Sequence, residues 1–250
     1  SMRIGAFPMN DRFTLSVLDH GSVRLANLAG PVRRPNRDFD ADDIDPALAA
    51  RMSFDGGLEP RARELDLKLC DYLMKNRHTT PFEMIECWIE MEMPIFVARQ
   101  FVRHRTAAIN EVSARYVTLP EKWYIPDIRI IGAKPKSVKQ GRVIGSEPTL
   151  EQKLFACNLN SHCQNGYDQY KMAIADEIPN ELARCFLSLN HYTHWLWKQD
   201  LHNIMGFLSL RVHGHAQYEA REYGEAVLQL LTSSLPESME LFNRYRRMSG

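Results

Sequence analysis

The chain has 250 residues, 44% of them apolar, enough to bury a sizeable core in one large domain or two small ones. Its 31 Lys+Arg against 31 Asp+Glu leave no formal net charge, which argues against a dedicated nucleic-acid binder and an acidic disordered chain. No apolar run approaches the roughly 20 residues needed to cross a bilayer, no secretory signal is visible, and the five cysteines form no C-x-x-C pair. A reduced, cytoplasmic protein without nucleic-acid or membrane partners is expected.

In chain order, Thr14–Leu18 and Val23–Leu28 flank the turn residues Asp19-His20-Gly21-Ser22 and predict a hairpin reaching Ala29. Pro31 to Asp45, rich in Arg, Asp, Asn and Pro, reads as an exposed connection. After Pro60, Ala62, Leu65, Leu69 and Tyr72/Leu73 recur at helical spacing, and Pro81 disfavours helix at Thr80. Ile85–Met93 alternates apolar and polar, a strand with one wet face, although Trp88 breaks the strictest pattern. Pro94 suits the first position of a helix over Ile95–Arg103. Tyr116–Leu119 and Trp123–Ile131 look extended. Gly132 to Pro148 holds Lys134, Lys136, Lys139 and Arg142 against Glu147 alone; a mobile loop and a lid over an anionic ligand are both open readings. Helical periods then cover Thr149 to about Asp176, Asn180 to about Lys198, Asp200 to about Val212 and Ala216 to Leu231. Thr149 with Gln152 fits a capping box, and Asn180 and Asp200 fit N-caps. The expected organisation is one α/β domain over residues 1–250, with a small, largely antiparallel sheet between layers of helices.

No dinucleotide fingerprint, P-loop, G-x-S-x-G or H-E-x-x-H motif is present. The densest chemistry is Gln100–Tyr116, with Arg103, Arg105, Arg115, His104 and several hydrogen-bonding side chains. Gln100 and Arg103 stand one helical turn apart and share a face. Arg103-His104-Arg105 at a helix end suits the dipole, so a solvated structural role is one reading. The apolar lead-in Pro94–Ala98 points to a buried helix instead, whose arginines would need anionic partners. Glu111 can satisfy only one of them, which leaves room for an external phosphate.

Arg103-His104-Arg105, seven residues, then Ser113 resembles the signature of the flavin-dependent thymidylate synthases. Ala50–Phe54, His78–Glu83, Pro94–Gln100, Tyr124–Pro126, Asp200–Asn203, Phe207-Leu208, Arg211 and His215–Gln217 match further blocks of that family in its order. The resemblance implies FAD-dependent reductive methylation of dUMP to dTMP by a homotetramer whose sites are built from several subunits. Methylenetetrahydrofolate would give the carbon, NADPH would reduce the flavin, and no cysteine nucleophile is needed. It places Gln100, Arg103, Glu111, Ser113, Arg115, Arg184 and Arg211 at the nucleotide. It places Ser53, His78, Thr80, Arg103, His104, Arg105, Glu111, Asp200, His202 and Gly206 at the flavin. Arg211 is the expected catalytic residue, because a cation at the pyrimidine edge favours the N3-deprotonated form and pushes electron density to C5. Its structural alternative is a salt bridge with Glu219 or Glu222. Ser113 reads as a ligand contact rather than a nucleophile, since no base is apparent beside it. Two positions depart from the family pattern: Ala108 replaces a frequent Ser, and Gly206 a frequent His or Asn.

Two rival readings rest on other residues. His191 and His194, placed on one helical face, could gather with His202, His213 and His215 around a metal for hydrolysis. The arginine-rich stretch and the lysine-rich loop could serve a non-enzymatic RNA-binding module, against which the balanced charge counts.

Overall fold

The computed structural model describes residues 12–54, 56–135, 141–145 and 147–248. The expected hairpin is β1 (Thr14–Val17) and β2 (Gly21–Ala29). Glycine is required at its turn, because a Cβ on Gly21 would lie 1.9 Å from the Tyr223 hydroxyl and 2.7 Å from the Glu92 carbonyl oxygen. β2 pairs with β3 (Glu86–Pro94), which buries Cys87, Ile89, Met91 and Met93 and turns Glu86, Trp88, Glu90 and Glu92 to the wetter face. Trp88 fits there because Lys198 Nζ stands 5.9 Å from its ring centre, a cation–π contact on the polar side. Two further strands, β4 (Ala108–Glu111) and β5 (Tyr192–Asp200), complete an antiparallel sheet of order β1-β2-β3-β5-β4. A small antiparallel sheet flanked by helices is thus the observed architecture.

The helices are α1 (Asp45–Arg51), α2 (Arg63–Lys75), α3 (Thr80–Glu83), α4 (Ile95–Phe101) and α5 (Leu150–Ala175). They continue as α6 (Asn180–Ala183), α7 (Leu201–Arg211), α8 (Tyr218–Ser234) and α9 (Pro236–Tyr245). Trp197 from the sheet, Phe101 from α4, Phe207 from α7, Tyr223 from α8 and Phe242 from α9 are fully buried in one core. Each such side chain stabilises the fold by roughly 1.5–3 kcal/mol. Asp200 ends β5 and caps α7: its carboxylate accepts from Asn203 N at 2.9 Å. The capping box of Thr149 and Gln152 forms as expected and starts α5. α5 belongs to a smaller cluster with Tyr167, Tyr170 and Ala183. No helix of the described residues is long and apolar enough to cross a membrane.

Several sequence expectations are corrected. Asn180–Lys198 is not one helix but α6, a 3-10 turn (Arg184–Phe186) and β5. Asn190 interrupts it by donating from Nδ2 to the Tyr124 carbonyl at 2.7 Å, and Thr193, Trp195, Trp197 and Gln199 then alternate into the core with period two. Pro179, not Asn180, holds the N-cap position of α6, with no side-chain cap. Pro94 is the last residue of β3 and precedes α4 with an extended backbone. The segment from Pro31 to Asp45 is less exposed than expected, because its charges satisfy one another: Arg34 pairs with buried Asp45, and Arg37 and Arg63 with buried Asp42. A turn at residues 114–116, held by Tyr116 N and Val117 N donating to the Ser113 carbonyl, precedes an irregular stretch through Leu119, so no strand forms there. Trp123–Ile131 keeps one bridge to His191 before a 3-10 turn (Ile128–Ile130). In the Gly132–Pro148 loop, Ala133 bridges Val143, while Lys136 and Lys139 lie outside the described residues.

Candidate active site

α7 carries candidate groups at both ends. Arg211, its last residue, lies over the Phe101 ring at 5.8 Å and donates from Nη2 to the Gln100 carbonyl at 3.2 Å and to His104 Nε2 at 3.1 Å. Gly224 lets α8 pass close by, since a Cβ there would sit 3.0 Å from Arg211 Cβ. Arg211 therefore pairs with neither Glu219 nor Glu222, and its buried Nε has no hydrogen-bond partner among the described residues. A buried donor of this kind costs free energy unless a ligand meets it. It borders a cleft of about 850 Å³ lined by Gln100, Arg142, Arg211, His215, Gln217 and Tyr218, among others.

The cleft is braced by a buried carboxylate. Glu219 accepts both 2.7 Å bonds from Arg142 Nη2, one from the Tyr124 hydroxyl at 3.0 Å and one from Gln217 Nε2 at 2.9 Å. Gln217 in turn accepts from Gln100 Nε2 at 2.6 Å. Burial alone would raise the Glu219 pKa, yet the Arg142 bonds hold it below the ordinary carboxylate value.

His104 points inward, edge-on to Phe207 at 5.0 Å. Because a guanidinium can only donate, His104 Nε2 accepts and its proton sits on Nδ1. Burial, with the Arg211 charge adding to it, pushes its pKa down to about 4. The unfolded chain therefore takes up this proton first, and its contribution to stability is lost progressively as pH falls from about 6.5 toward 4. A nitrogen-15 NMR titration is expected to show neutral His104 down to about pH 5, and a midpoint near the ordinary value of about 6.5 would reject this environment.

At the other end of α7, His202, Gly206 and Ser209 follow one helical face. A cavity of about 530 Å³ lies there, lined by Lys75, Arg77, His78, Thr79, His202, Arg246 and others. Arg246 Nη1 donates to His202 Nδ1 at 2.8 Å and to the His202 carbonyl at 3.2 Å, so His202 carries its proton on Nε2, facing outward from that bond. Burial and the Arg246 charge lower the His202 pKa. At 1.5 Å per residue, the two ends of the site stand roughly 14 Å apart along α7.

The structure thus brings Gln100, His104 and Arg211 together at one end, and His78, Asp200, His202 and Gly206 at the other. It does not gather the rest within one chain. Arg103 and Arg105 are exposed in the turn after α4, although the helix itself is buried, which overturns the expectation of buried arginines there. Arg115 is exposed beside the Tyr116 ring, and Arg184 is exposed, its Nε donating to the Glu181 carbonyl at 3.2 Å. Ser113 Oγ accepts from Arg115 N at 3.3 Å, and Glu111 accepts from Thr193 Oγ1. Ser53 and Thr80 are exposed, after α1 and at the start of α3. Ala108 is exposed at the start of β4. Arg142, Gln217 and Arg246 were not singled out as site residues from sequence. Only Gln217 lay in a matching block, while Arg142 and Arg246 are distant in the chain from what they touch.

The histidines invoked for a metal do not converge as assumed. His191 is buried and stacked on Tyr167 at 6.2 Å, and three residues along an extended chain put His194 on the opposite face. Among the described residues no three His, Cys, Asp or Glu side chains are placed to hold a metal ion. Burial pushes the Cys70 thiol up to about 12 and raises that of Cys87, so neither is a ready nucleophile.

Two cavities lined by arginines lie at the two ends of one helix on an antiparallel α/β scaffold, each beside a histidine that accepts from an arginine, an arrangement with the chemistry to take anionic groups. A family model described as thymidylate synthase complementing protein matches residues 38–237. The flavin-dependent thymidylate synthase of Gluconobacter oxydans is 39% identical over 233 residues, covering 92% of this chain and 72% of that one. The enzyme of the same name from Rickettsia prowazekii is 38% identical over 245 residues, covering 93% and 79%. Among solved structures, a UMP/dUMP methylase PolB from Streptomyces cacaoi bound with 5-Br dUMP superposes with a TM-score of 0.79 at 26% identity, covering 94% of this chain and 100% of that one. The chain belongs to the flavin-dependent thymidylate synthase family.

Proposed function

We propose that this chain methylates dUMP reductively to dTMP, with the nucleotide in the Gln100–Arg211 cleft and the flavin beginning at the His78–His202 cavity. Methylenetetrahydrofolate is the carbon donor and NADPH the reductant. The observation that carries the assignment is Arg211: a half-buried guanidinium with no carboxylate partner and an unsatisfied Nε among the described residues, beside an open cleft. The same logic fits a flavin at the second cavity, whose lining among the described residues holds Lys75, Arg77 and Arg246 but no carboxylate, with Asp200 close by at the start of α7. When bound, reduced FAD supplies the hydride that completes the new methyl group.

The chain's own groups bind, orient and polarise. Gln100 and Gln217 offer amide groups at the cleft, held in place by Glu219. Arg211 stands at the pyrimidine edge and favours loss of the N3 proton, which enriches C5 for attack on the folate-borne carbon. Neutral His104 fixes the guanidinium without adding a competing positive charge. Arg103, Arg105, Arg115 and Arg184 are exposed, and that exposure supports sites shared across a homotetramer in which ligands are held partly by another subunit. Charge-assisted bonds from such arginines to phosphate contribute about 1.5–3 kcal/mol each.

Purified protein is expected to be yellow, or to become so with FAD, and dUMP titration is expected to perturb the flavin bands. Sedimentation of the yellow species at four times the chain mass checks the assembly. A chain that binds dUMP but takes up no flavin under any condition would defeat the assignment.

A further inference from the structure

Gly206 offers no side chain toward the His78–His202 cavity, and the nearest side chain to its missing Cβ among the described residues is Arg246. A Cβ at this position would make ordinary contact with Arg246 Nη2 at 3.8 Å, so the guanidinium lies beside the place from which a longer residue at 206 would project. Arg246 follows directly on α9, beyond the stretch that the family model matches. It is half-buried, and its bonds within the chain go to His202 and the Met205 sulfur rather than to a carboxylate. Arg77 lines the same cavity and its charge adds to burial in disfavouring a proton on Arg246. Arg246 is half-buried and Arg77 stands exposed at the mouth of the same cavity; Asp200 offsets part of this charge without bonding to Arg246, and a half-buried guanidinium with no carboxylate bond among the described residues suits an anion.

We propose that Arg246 contacts an anionic oxygen of the flavin coenzyme and supplies the side-chain contact that Gly206 cannot make. This rests on the reading of the cavity as the flavin site. Two parts of FAD carry such oxygen: the diphosphate, and the ring edge that gains negative charge on two-electron reduction. Arg246 also holds the His202 tautomer, so contact and orientation come from one guanidinium.

The test titrates apo-protein of the wild type, Arg246→Gln and Arg246→Ala with FAD and with riboflavin, and measures the potential of the bound flavin. A diphosphate contact predicts FAD affinity weakened about 10- to 150-fold with riboflavin affinity unmoved. A ring contact predicts that the reduced form weakens at least tenfold more than the oxidised one, a fall of about 30 mV for a two-electron couple. In either case Gly206→Asn is expected to strengthen flavin binding in the Arg246→Ala background and to weaken it in the wild type, where the two side chains collide. Unchanged affinities and potential in both variants would overturn the proposal. So would a parallel loss of FAD and dUMP binding with a lowered melting temperature, which marks a purely structural arginine. Failure of the wild type itself to bind flavin would reject the functional reading instead, and this one with it.

Discussion

Arg211→Ala is expected to lower kcat by about 10- to 1,000-fold while dUMP affinity changes much less. The range follows from the 1–3 pKa units by which a neighbouring cation typically favours an ionised group, each unit being a factor of about ten. The position of Arg211 argues for this split. Its Nη2 is committed to the Gln100 carbonyl and His104, and Phe101 supports it from below, so the remaining donors keep a fixed direction. Arg211→Lys is expected to recover little, because a single ammonium cannot hold both inner partners and still meet a planar ring edge. Pre-steady-state turnover and equilibrium dUMP binding measured on the same preparations separate the possibilities. Equal loss of affinity with kcat intact would make Arg211 a phosphate clamp instead.

Glu219→Ala is expected to cost about 3–5 kcal/mol, the usual penalty for breaking a buried ion pair from one side. For a chain of this size that is a melting-temperature drop of order 10 °C. One carboxylate, only 2% exposed as a residue, satisfies Arg142, the Tyr124 hydroxyl and Gln217, and all three lose their acceptor together. The dUMP KM should rise as well, since Gln217 positions Gln100. Replacing Glu219 and Arg142 together by Met is expected to recover most of the stability but not the KM, because no stranded charge then remains. The folded pKa of Glu219 lies below the unfolded value near 4.5, so its contribution is complete above that pH and is lost as pH falls through the folded pKa. Urea unfolding of Glu219→Ala within about 1 kcal/mol of wild type would show that the pair contributes only as a surface bridge does.

What the sequence revealed depended on the range of the forces involved. The hairpin, β3, α5 and its cap, and the start of α7 are local, and turn chemistry, alternation and capping residues announce them within a few positions. The large apolar residues of β5 mimic a helical period, and only its pairing with β3 and β4 on either side decides for a strand. The site divided in the same way. His78, Gln100, His104, His202 and Arg211 lay in recognisable blocks, and the fold gathers them at the two ends of α7. Arg142 and Arg246 had no local signal, since each meets its partner across more than forty positions of chain. The inward turn of His104, with both flanking arginines outside, follows from the end of α4 at Phe101 rather than from the composition of the triplet.

α7 also acts as a ruler. One rigid rod, fixed at its origin by the Asp200 cap and fused there to the last strand residue, sets both the spacing and the relative heading of the two cavities. Inserting or deleting a single residue between His202 and Arg211 would swing one pocket about 100° around the rod relative to the other. Divergence in this architecture is therefore confined to exchanging side chains on fixed rungs, and an empty rung can be filled only by reaching in from elsewhere.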